Sequence, residues 1–248
     1  MTTAEQVLYT DREGEPAPLT EVISDGIEGG YEDRLPQLRE LCEHGAPDHR
    51  EDACQMLVAW SDPVGLRALT RWAEGDTSWV ERPVDFPRLA DALGTGKYTA
   101  TPEVLDLRAD AMRGLLALAE LLPFDERLRD ALLGDNALIE RVADDLRTAI
   151  ERALRRLERR DRPKFDLATD TAALVVALAR VDDEAAAAFA ERLEQVDRRN
   201  TRLLQQLAAA MGQGRGPRTL AALERLRGHK DRQVRESADA ALAVRNRR

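Results

Sequence analysis

Four residues of metal-ligand type lie close together near the start of the chain. They are Cys42, His44, His49 and Cys54, which fall within thirteen residues of sequence. A helical hairpin could bring two thiolates and two imidazoles around one zinc ion, because zinc takes four sulfur and nitrogen ligands in a tetrahedral array. The spacing Cys-x-His-x4-His-x4-Cys matches no standard zinc pattern, however. We therefore favour ordinary helix-packing roles and predict no bound metal or other cofactor, with zinc as the alternative.

A second group of residues carries positive charge. Several arginines crowd the end of a long predicted helix, and others begin a basic C-terminal block, 198–248, which has thirteen bases and four acids. Cations at a helix C-terminus complement the helix dipole, which is the interpretation that we favour. Nucleic-acid binding through phosphate contacts is the alternative, although the net charge of −9 opposes it. Its candidate residues are Arg155, Arg156, Arg159, Arg160, Arg198, Arg199 and Arg202.

A third group could anchor a protein or peptide partner. Aromatic and arginine side chains supply much of the binding energy at protein interfaces. Trp79 lies in 75–101, between predicted helices and beside proline and charged residues, so we predict that it is exposed. Trp60 and Trp72 fall at helical positions, which indicates core packing. The candidate partner-binding residues are Trp79, Phe86, Tyr98, Arg50, Arg232 and Arg235.

Groups for covalent or acid–base catalysis are scarce. The chain has three histidines, and none lies in a recognisable nucleophile or base motif. Carboxylates are abundant, but among so many arginines they are typical of solvated helix faces and i,i+4 pairs. We therefore expect a protein that is not an enzyme.

The elements that position these residues are predicted to be helices. The apolar residues are mostly Ala and Leu, which favour helices, and aromatic residues make up 4% of the chain. Capping residues followed by proline mark helix starts at Asp62, Thr101 and Gly216, and Asp48 with Glu51 predicts a capping box. After a short helical turn from Leu19, the predicted helices are 31–44, 48–61, 63–74, 102–122, 124–134, 136–160, 166–180, 183–197, 200–212, 217–228 and 231–245, with 75–101 as one long loop.

Two predicted helical pairs share one pattern 185 positions apart, without a gap. The first helices match at Leu35, Leu38 and Leu41 against Leu220, Leu223 and Leu226, and the second helices at Arg50-Glu51, Ala53 and Met56-Leu57 against Arg235-Glu236, Ala238 and Ala241-Leu242. The last pair resembles a HEAT repeat, whose second helix opens with Asp, then Val-Arg, then small residues before Leu. Here these are Asp231, Val234-Arg235, Ala238 and Ala241-Leu242. The first pair departs from the family at His49, where the pattern has Val.

The HEAT-repeat resemblance implies an all-α solenoid of about four to five stacked helical pairs. It also implies that Asp231 and Arg235 belong to a structural ladder along the turns. For function it implies a scaffold or adaptor that binds a protein or peptide. The alternatives that it suggests are a nucleic-acid-binding protein similar to HEAT-like DNA glycosylases, or a lyase-like helper of a biosynthetic enzyme that uses the Cys/His turn.

Composition sets the remaining expectations. We predict a polar arm, 1–18, followed by one repeat domain, 19–248. The start of the chain lacks the features of a secretory signal, and the longest apolar run, 172–179, is too short for a membrane span, so we expect a cytoplasmic protein without membrane contact.

With 34 arginines and three lysines, the chain is typical of a high-GC bacterial genome. Residues 1–33 have a net charge of −8, so the acidic start and basic end also predict salt-sensitive self-association.

Overall fold

The computed structural model describes residues 3–96, 101–161 and 163–247. Within these ranges it contains fifteen α-helices, a 3₁₀ turn at Glu32–Arg34, and no β-strand beyond an isolated bridge between Thr10 and Pro16. The helices are α1 (Ala4–Leu8), α2 (Leu19–Ile27), α3 (Leu35–His44), α4 (Pro47–Ala59), α5 (Pro63–Ala73), α6 (Phe86–Thr95), α7 (Pro102–Leu118), α8 (Arg127–Leu133), α9 (Asn136–Arg141), α10 (Ala143–Glu158), α11 (Leu167–Leu178), α12 (Asp183–Val196), α13 (Thr201–Gln213), α14 (Pro217–Arg227) and α15 (Arg232–Arg245).

The predicted all-α, solenoid-like class is confirmed, because the helices pack against their neighbours along the chain. The chain divides into two compact units, Met1–Leu115 and Leu116–Arg248, called unit 1 and unit 2 below. The single repeat domain 19–248 stays a prediction. Among the described residues, no helix has both the length and the apolar content needed to cross a membrane.

Helix α4 forms the centre of unit 1. It contacts α1, α2, α3, α5 and α6, and its residues 53–59 are all buried. A helix with packing partners on every side must be apolar on every side, which explains why the helical period of apolar residues weakens in this stretch. The crossing with α5 is close, since a Cβ atom at Gly65 would lie 2.5 Å from the Cβ atom of Leu57.

The two segments that share the repeat pattern both form helical hairpins, α3–α4 and α14–α15. Matched residues are buried in both hairpins at Leu38 and Leu223 and again at Ala53 and Ala238. Leu220, by contrast, is 40% exposed. The pattern thus predicted the local structure, and membership of the HEAT family stays a prediction.

The N-terminal arm is held against unit 1 by buried apolar residues and by hydrogen bonds. Val7 and Leu8 of α1 are buried. The Tyr9 hydroxyl donates a hydrogen bond to the Asp52 carboxylate on α4. Arg34 donates to the carbonyl oxygens of Thr10, at 2.7 Å, and of Asp11, at 2.6 Å. These contacts hold the acidic segment that follows α1 in a defined place on unit 1.

We expect the Tyr9→Phe variant to lose about 1 kcal/mol of unfolding free energy at neutral pH, because a hydrogen bond to a charged group is removed. Burial first, and then the bond to Asp52, raises the pKa of Tyr9 from 10.0 to about 12. A raised phenol pKa stabilises the fold fully below pH 10, and this contribution is lost as the pH rises towards 12. Denaturant unfolding at several pH values should therefore show the two proteins converging above pH 10.

The matched control for this prediction is Tyr31→Phe. The Tyr31 hydroxyl is buried and finds no hydrogen-bond partner among the described residues. Its removal should leave stability unchanged or slightly higher, because no bond is lost and an unsatisfied polar group leaves the interior. An equal loss in both variants would show that the Tyr9 bond has no special role.

The predicted loop 75–101 is wrong in extent, because Phe86–Thr95 forms α6. Asp85 caps this helix by accepting a hydrogen bond from the Arg88 amide at 3.1 Å, and Pro87 occupies its first turn. Leu89 and Leu93 are buried, on a helix that packs against α4. The prolines and glycines indicated a loop, whereas Asp85 and Pro87 are in fact a helix start signal.

The capping box predicted at Asp48 and Glu51 is wrong. Pro47 takes the first position of α4, so the helix begins before Asp48. Glu51 is buried and instead accepts a hydrogen bond from the Asp85 amide at 3.1 Å. Arg82 pairs with Asp48 at 3.0 Å and with Glu51 at 3.1 Å, so both carboxylates hold the segment 76–85 onto α4.

The long helix predicted for 136–160 is two helices, α9 and α10, separated by Val142. Val142 has φ −112° and ψ 13°, which is not helical, and its amide donates to the carbonyl oxygens of Leu138 and Ile139. Helix α9 packs on α8, whereas α10 packs on α11 and α12. Because α9 and α10 pack on different helices, their axes must run in different directions. The continuous spacing of apolar residues in the sequence does not reveal this change of direction.

Unit 2 is built from stacked helical hairpins in two layers. One layer contains α10, α12 and α14, and the other contains α8, α11, α13 and α15. The hairpins α10–α11, α12–α13 and α14–α15 follow one another, so their first helices stack together and their second helices stack together. Each hairpin therefore presents its internal turn at the same edge of the stack.

Candidate functional site

The predicted zinc residues do not form a site. Cys42 and Cys54 are buried where α3 meets α4, whereas His44 is exposed as the last residue of α3. Among the described residues, no three or more ligand-type side chains come together as a metal site. Burial, followed by the neighbouring Cys42, raises the pKa of the Cys54 thiol, which makes it a poor nucleophile. The structure therefore offers the zinc alternative no assembled site, because packing turns the thiols inward and His44 outward.

The predicted aromatic anchors lie against the protein itself. Trp79 is half-buried, with its ring centroid 4.6 Å from that of Trp72, and the Arg50 guanidinium lies 4.6 Å from the Trp79 ring. Phe86 is 8% exposed at the start of α6. The prediction of an exposed Trp79 is therefore wrong, because Trp72 and Arg50 cover its faces. Tyr98 lies outside the described residues.

The three arginines predicted to bind a partner are instead bound within the chain, to backbone carbonyl oxygens or to a neighbouring carboxylate. Arg50 donates to the Cys42 carbonyl oxygen at 2.9 Å, and Arg235, its match in the repeat pattern, donates to the carbonyl oxygens of His229 and Lys230 at 2.9 and 2.8 Å. Arg50 thus ties its helix to the last turn of α3, and Arg235 ties its helix to the turn before it. Arg232 pairs with Glu236 on its own helix at 2.6 Å.

The candidate nucleic-acid residues divide into paired and unpaired sets. Three are held by carboxylates of the chain: Arg155 by Glu151, Arg156 by Asp161, and Arg202 by Glu126. The other four are exposed and form no ion pair with any other described residue; they are Arg159, Arg160, Arg198 and Arg199. The paired arginines stabilise the fold, so charge left over for a partner is concentrated on the unpaired set.

Several of the other cations in the α10–α12–α14 layer of unit 2 form ion pairs with a neighbouring helix of that layer. Arg192 on α12 reaches Glu151 and Glu158 on α10. Arg218 on α14 reaches Glu184 and Glu191 on α12, and Arg225 reaches Glu194 at 2.8 Å. The bond from Arg192 is the main reason that the pKa of Glu151 is lowered. Successive helices in this layer therefore neutralise one another.

The three hairpin turns of unit 2 are joined by a ladder of capping residues. Asp166, Asn200 and Asp231 cap α11, α13 and α15. The Asn200 amide donates to Asp166 at 3.3 Å, and the Thr201 hydroxyl donates to Asp231 at 2.6 Å. The Thr201 bond is the main reason that the pKa of Asp231 is lowered. The predicted structural role of Asp231 thus agrees with its bonds.

Most exposed cations of unit 2 that form no ion pair with another described residue lie on these same turns. We define the basic edge as six exposed residues that form no ion pair with another described residue: Arg159, Arg160, Lys164, Arg198, Arg199 and Lys230. The acids on the turns are engaged, since Asp166 and Asp231 cap helices and Asp197 accepts from the Arg199 amide at 3.2 Å. Stacked helices lie about 8–10 Å apart, so the turns repeat positive charge at about that interval.

A cleft of about 620 Å³ opens on the basic edge, between the α10–α11 turn and the α12–α13 turn. Its lining combines the apolar side chains of Leu157, Phe165 and Val196 with Arg160 and with the carboxylates of Asp161, Asp166 and Asp197. The three carboxylates already accept bonds within the chain, so the apolar side chains are the part of the cleft that could anchor one side chain of a ligand.

The other large hollows of unit 2 offer less chemistry. A hollow of about 620 Å³ on the opposite edge includes Arg180, which is already bound to the Leu133 carbonyl oxygen at 2.7 Å and to Gln213. In a hollow beside α10, Arg152 and Arg156 donate to carbonyl oxygens at the end of α7 and just after it. These arginines bind the chain itself.

Neither a protein-family model nor a curated protein matches the sequence of this chain.

The charge asymmetry seen in the sequence follows the two units. Unit 1 has 11 basic and 23 acidic residues, a net charge of −12, and unit 2 has 26 basic and 23 acidic residues, a net charge of +3. Sequence reasoning did not single out Lys230, because it lies in a short turn with Asp231 and His229. The recurring cap signals at Asp166, Asn200 and Asp231 were the signal that could have aligned the turns.

Proposed function

We propose that the chain is a non-enzymatic, cytoplasmic scaffold of HEAT-repeat type, and that it holds an acidic segment of a protein partner on the basic edge. The observation that carries this proposal is the alignment of six exposed, unpaired cations on turns joined by hydrogen bonds. Rigid spacing of the turns favours a partner with matching negative charges, because little backbone freedom is lost on binding.

The cleft favours a protein partner over a nucleic acid. Leu157, Phe165 and Val196 offer apolar surface to an aliphatic side chain, whereas a phosphate backbone gains nothing from it. Duplex DNA carries one negative charge per about 1.7 Å, so the net −12 of unit 1 opposes its approach more strongly than it opposes a short acidic segment. Nucleic-acid binding remains the second candidate, because four of its predicted arginines belong to the basic edge.

The accessory-enzyme alternative has less support. It depends on Cys42, His44, His49 and Cys54, which packing separates into buried thiols and an outward His44. A buried thiol with a raised pKa is mostly protonated at neutral pH, which disfavours both metal binding and nucleophilic attack.

The proposal predicts that fluorescently labelled poly-L-glutamate binds the chain at low salt and that Arg198→Gln with Arg199→Gln weakens this binding about tenfold, because two charge contacts are lost. Fluorescence anisotropy measures the affinity. The matched control is Arg215→Gln with Arg247→Gln, which removes two exposed cations of unit 2 that lie off the basic edge. This control should bind almost as well as the unmodified chain.

Two results would count against the proposal. A single-stranded oligonucleotide of equal charge that binds more tightly than poly-L-glutamate would favour the nucleic-acid candidate. Equal weakening in the edge variant and its control would show that net charge, rather than the aligned turns, determines binding.

A further inference from the structure

Helix α2 of unit 1 has an exposed face whose chemistry complements the basic edge. Glu21, Ser24 and Glu28 are exposed and lie at i, i+3 and i+7, so they share one face, and the exposed Ile27 lies at its flank, while Val22 and Ile23 on the other face are buried. Ile27 is 39% exposed, which makes it one of few large apolar side chains at the surface. Glu21 and Glu28 form no ion pair with another described residue.

The spacing of this face matches the spacing of the turns. Glu21 and Glu28 are seven residues apart, which is about 10.5 Å along a helix with a rise of 1.5 Å per residue. Neighbouring turns of the basic edge lie about 8–10 Å apart, the usual distance between packed helices. Glu28 could therefore face one pair of arginines while Glu21 faces the next.

Ile27 lies about 9 Å along α2 from Glu21 and next to Glu28 in the sequence, at the flank of the acidic face. The cleft lining of Leu157, Phe165 and Val196 could receive a branched aliphatic side chain such as that of Ile27. The cations on the turns and the apolar part of the cleft thus favour an acidic helix with one aliphatic side chain at its flank, and α2 is such a helix.

We infer that a second copy of this chain is a partner of the basic edge, with the Glu21–Ile27–Glu28 face of one molecule docked across the α10–α11 and α12–α13 turns of the next. The inference rests on the proposed function, because it names the occupant of the same edge. The net charges of −12 on unit 1 and +3 on unit 2 favour this head-to-tail approach.

The contact joins two different surfaces, so each molecule keeps one free acidic face and one free basic edge. Such heterologous contacts extend into open assemblies unless their rotation closes a ring. One short helix buries less area than the roughly 1,200 Å² of stable complexes, so the association is weak. It also weakens with salt, since the Debye length shortens from about 10 Å at 0.1 M to about 3 Å at 1 M.

Sedimentation velocity of the full chain tests the inference with two neutralised variants. The acidic-face variant carries Glu21→Gln and Glu28→Gln, and the edge variant carries Arg198→Gln and Arg199→Gln. The unmodified chain should associate with rising concentration at low salt, and each variant alone should associate at least about tenfold more weakly. An equimolar mixture should form a one-to-one dimer that grows no further, because each variant retains the surface that the other lacks.

The controls keep the change in charge but move it elsewhere. Glu40→Gln with Glu43→Gln neutralises two exposed carboxylates on α3 of unit 1, and Arg215→Gln with Arg247→Gln does the same for unit 2 off the edge. Both should associate as the unmodified chain does. Ile27→Ser should weaken association without changing its salt dependence, because it removes the anchor and no charge.

Failure of this inference is distinguishable from failure of the proposed function. A chain that stays monomeric at low salt, yet binds poly-L-glutamate through Arg198 and Arg199, overturns the second-copy inference and leaves the proposed function standing. Association that persists in both variants overturns the inference as well, since another surface must then join the copies. Loss of poly-L-glutamate binding together with a monomeric chain overturns both.

Discussion

Replacing Trp72 with alanine should lower the free energy of unfolding by about 3–5 kcal/mol, the range for removing a buried large aromatic side chain. Trp72 is 1% exposed in α5, and its ring lies 4.6 Å from that of Trp79. Its indole N–H has no hydrogen-bond partner among the described residues, so no hydrogen bond contributes to the loss. Urea unfolding followed by helical circular dichroism measures it.

Trp79→Ala is the matched control, because it removes the other ring of the same pair. Trp79 is half-buried, and its indole N–H donates to the Asp76 carbonyl oxygen within its own segment. Aromatic pairing is worth about 0.5–1.5 kcal/mol beyond burial, so a loss of at least about 1 kcal/mol, but below that of Trp72→Ala, is expected. A loss as large as that of Trp72→Ala would show that the segment 76–85 supports the core rather than resting on it.

Helix positions were largely predictable where apolar spacing and a capping signal coincided. Asp62 caps α5 and Asp231 caps α15, as their sequence positions indicate. Prediction failed where two signals conflicted. At 85–95 the prolines and glycines outweighed the cap at Asp85, and at 136–160 continuous apolar spacing concealed the break at Val142.

The candidate site was less predictable than the fold, because pairing of charges depends on tertiary contacts. Arg155 and Arg159 are one helical turn apart, yet Glu151 holds the first and no described carboxylate holds the second. Arg202 is neutralised by Glu126, which lies 76 residues earlier in the chain. Composition therefore predicts how much positive charge exists, and packing decides which part of it remains for a partner.

Trp79 shows the same limit for aromatic residues. Its place among prolines and charged residues predicted exposure, but the decisive neighbours, Trp72 and Arg50, come from α5 and α4. Seven residues separate Trp79 from Trp72, and the chain must reverse after α5 for their rings to meet. No spacing rule for a helix or a strand describes such a reversal.

Replacing Gly212 with alanine should destabilise the chain by about 1–3 kcal/mol, the usual cost of overpacking a close contact. A Cβ atom at Gly212 of α13 would lie 2.8 Å from the Cβ of Ala241 on α15 and 3.2 Å from its Cα and carbonyl oxygen. Inside an isolated helix the same substitution would stabilise by up to about 1 kcal/mol. A destabilising effect therefore indicates that α13 and α15 cross closely at this position. Urea unfolding measures the change.

A size swap shows whether the crossing itself is responsible. Ala241→Gly removes the nearest atom, so the double variant Gly212→Ala with Ala241→Gly should recover part of the loss, because residues in contact are not additive. Gly228→Ala is the control, since its nearest neighbour, the Arg225 carbonyl oxygen, would lie at an ordinary 3.4 Å. If Gly212→Ala proved as harmless as Gly228→Ala, α13 and α15 would lie further apart than described. The stacking that aligns the turns of the basic edge would then be looser as well.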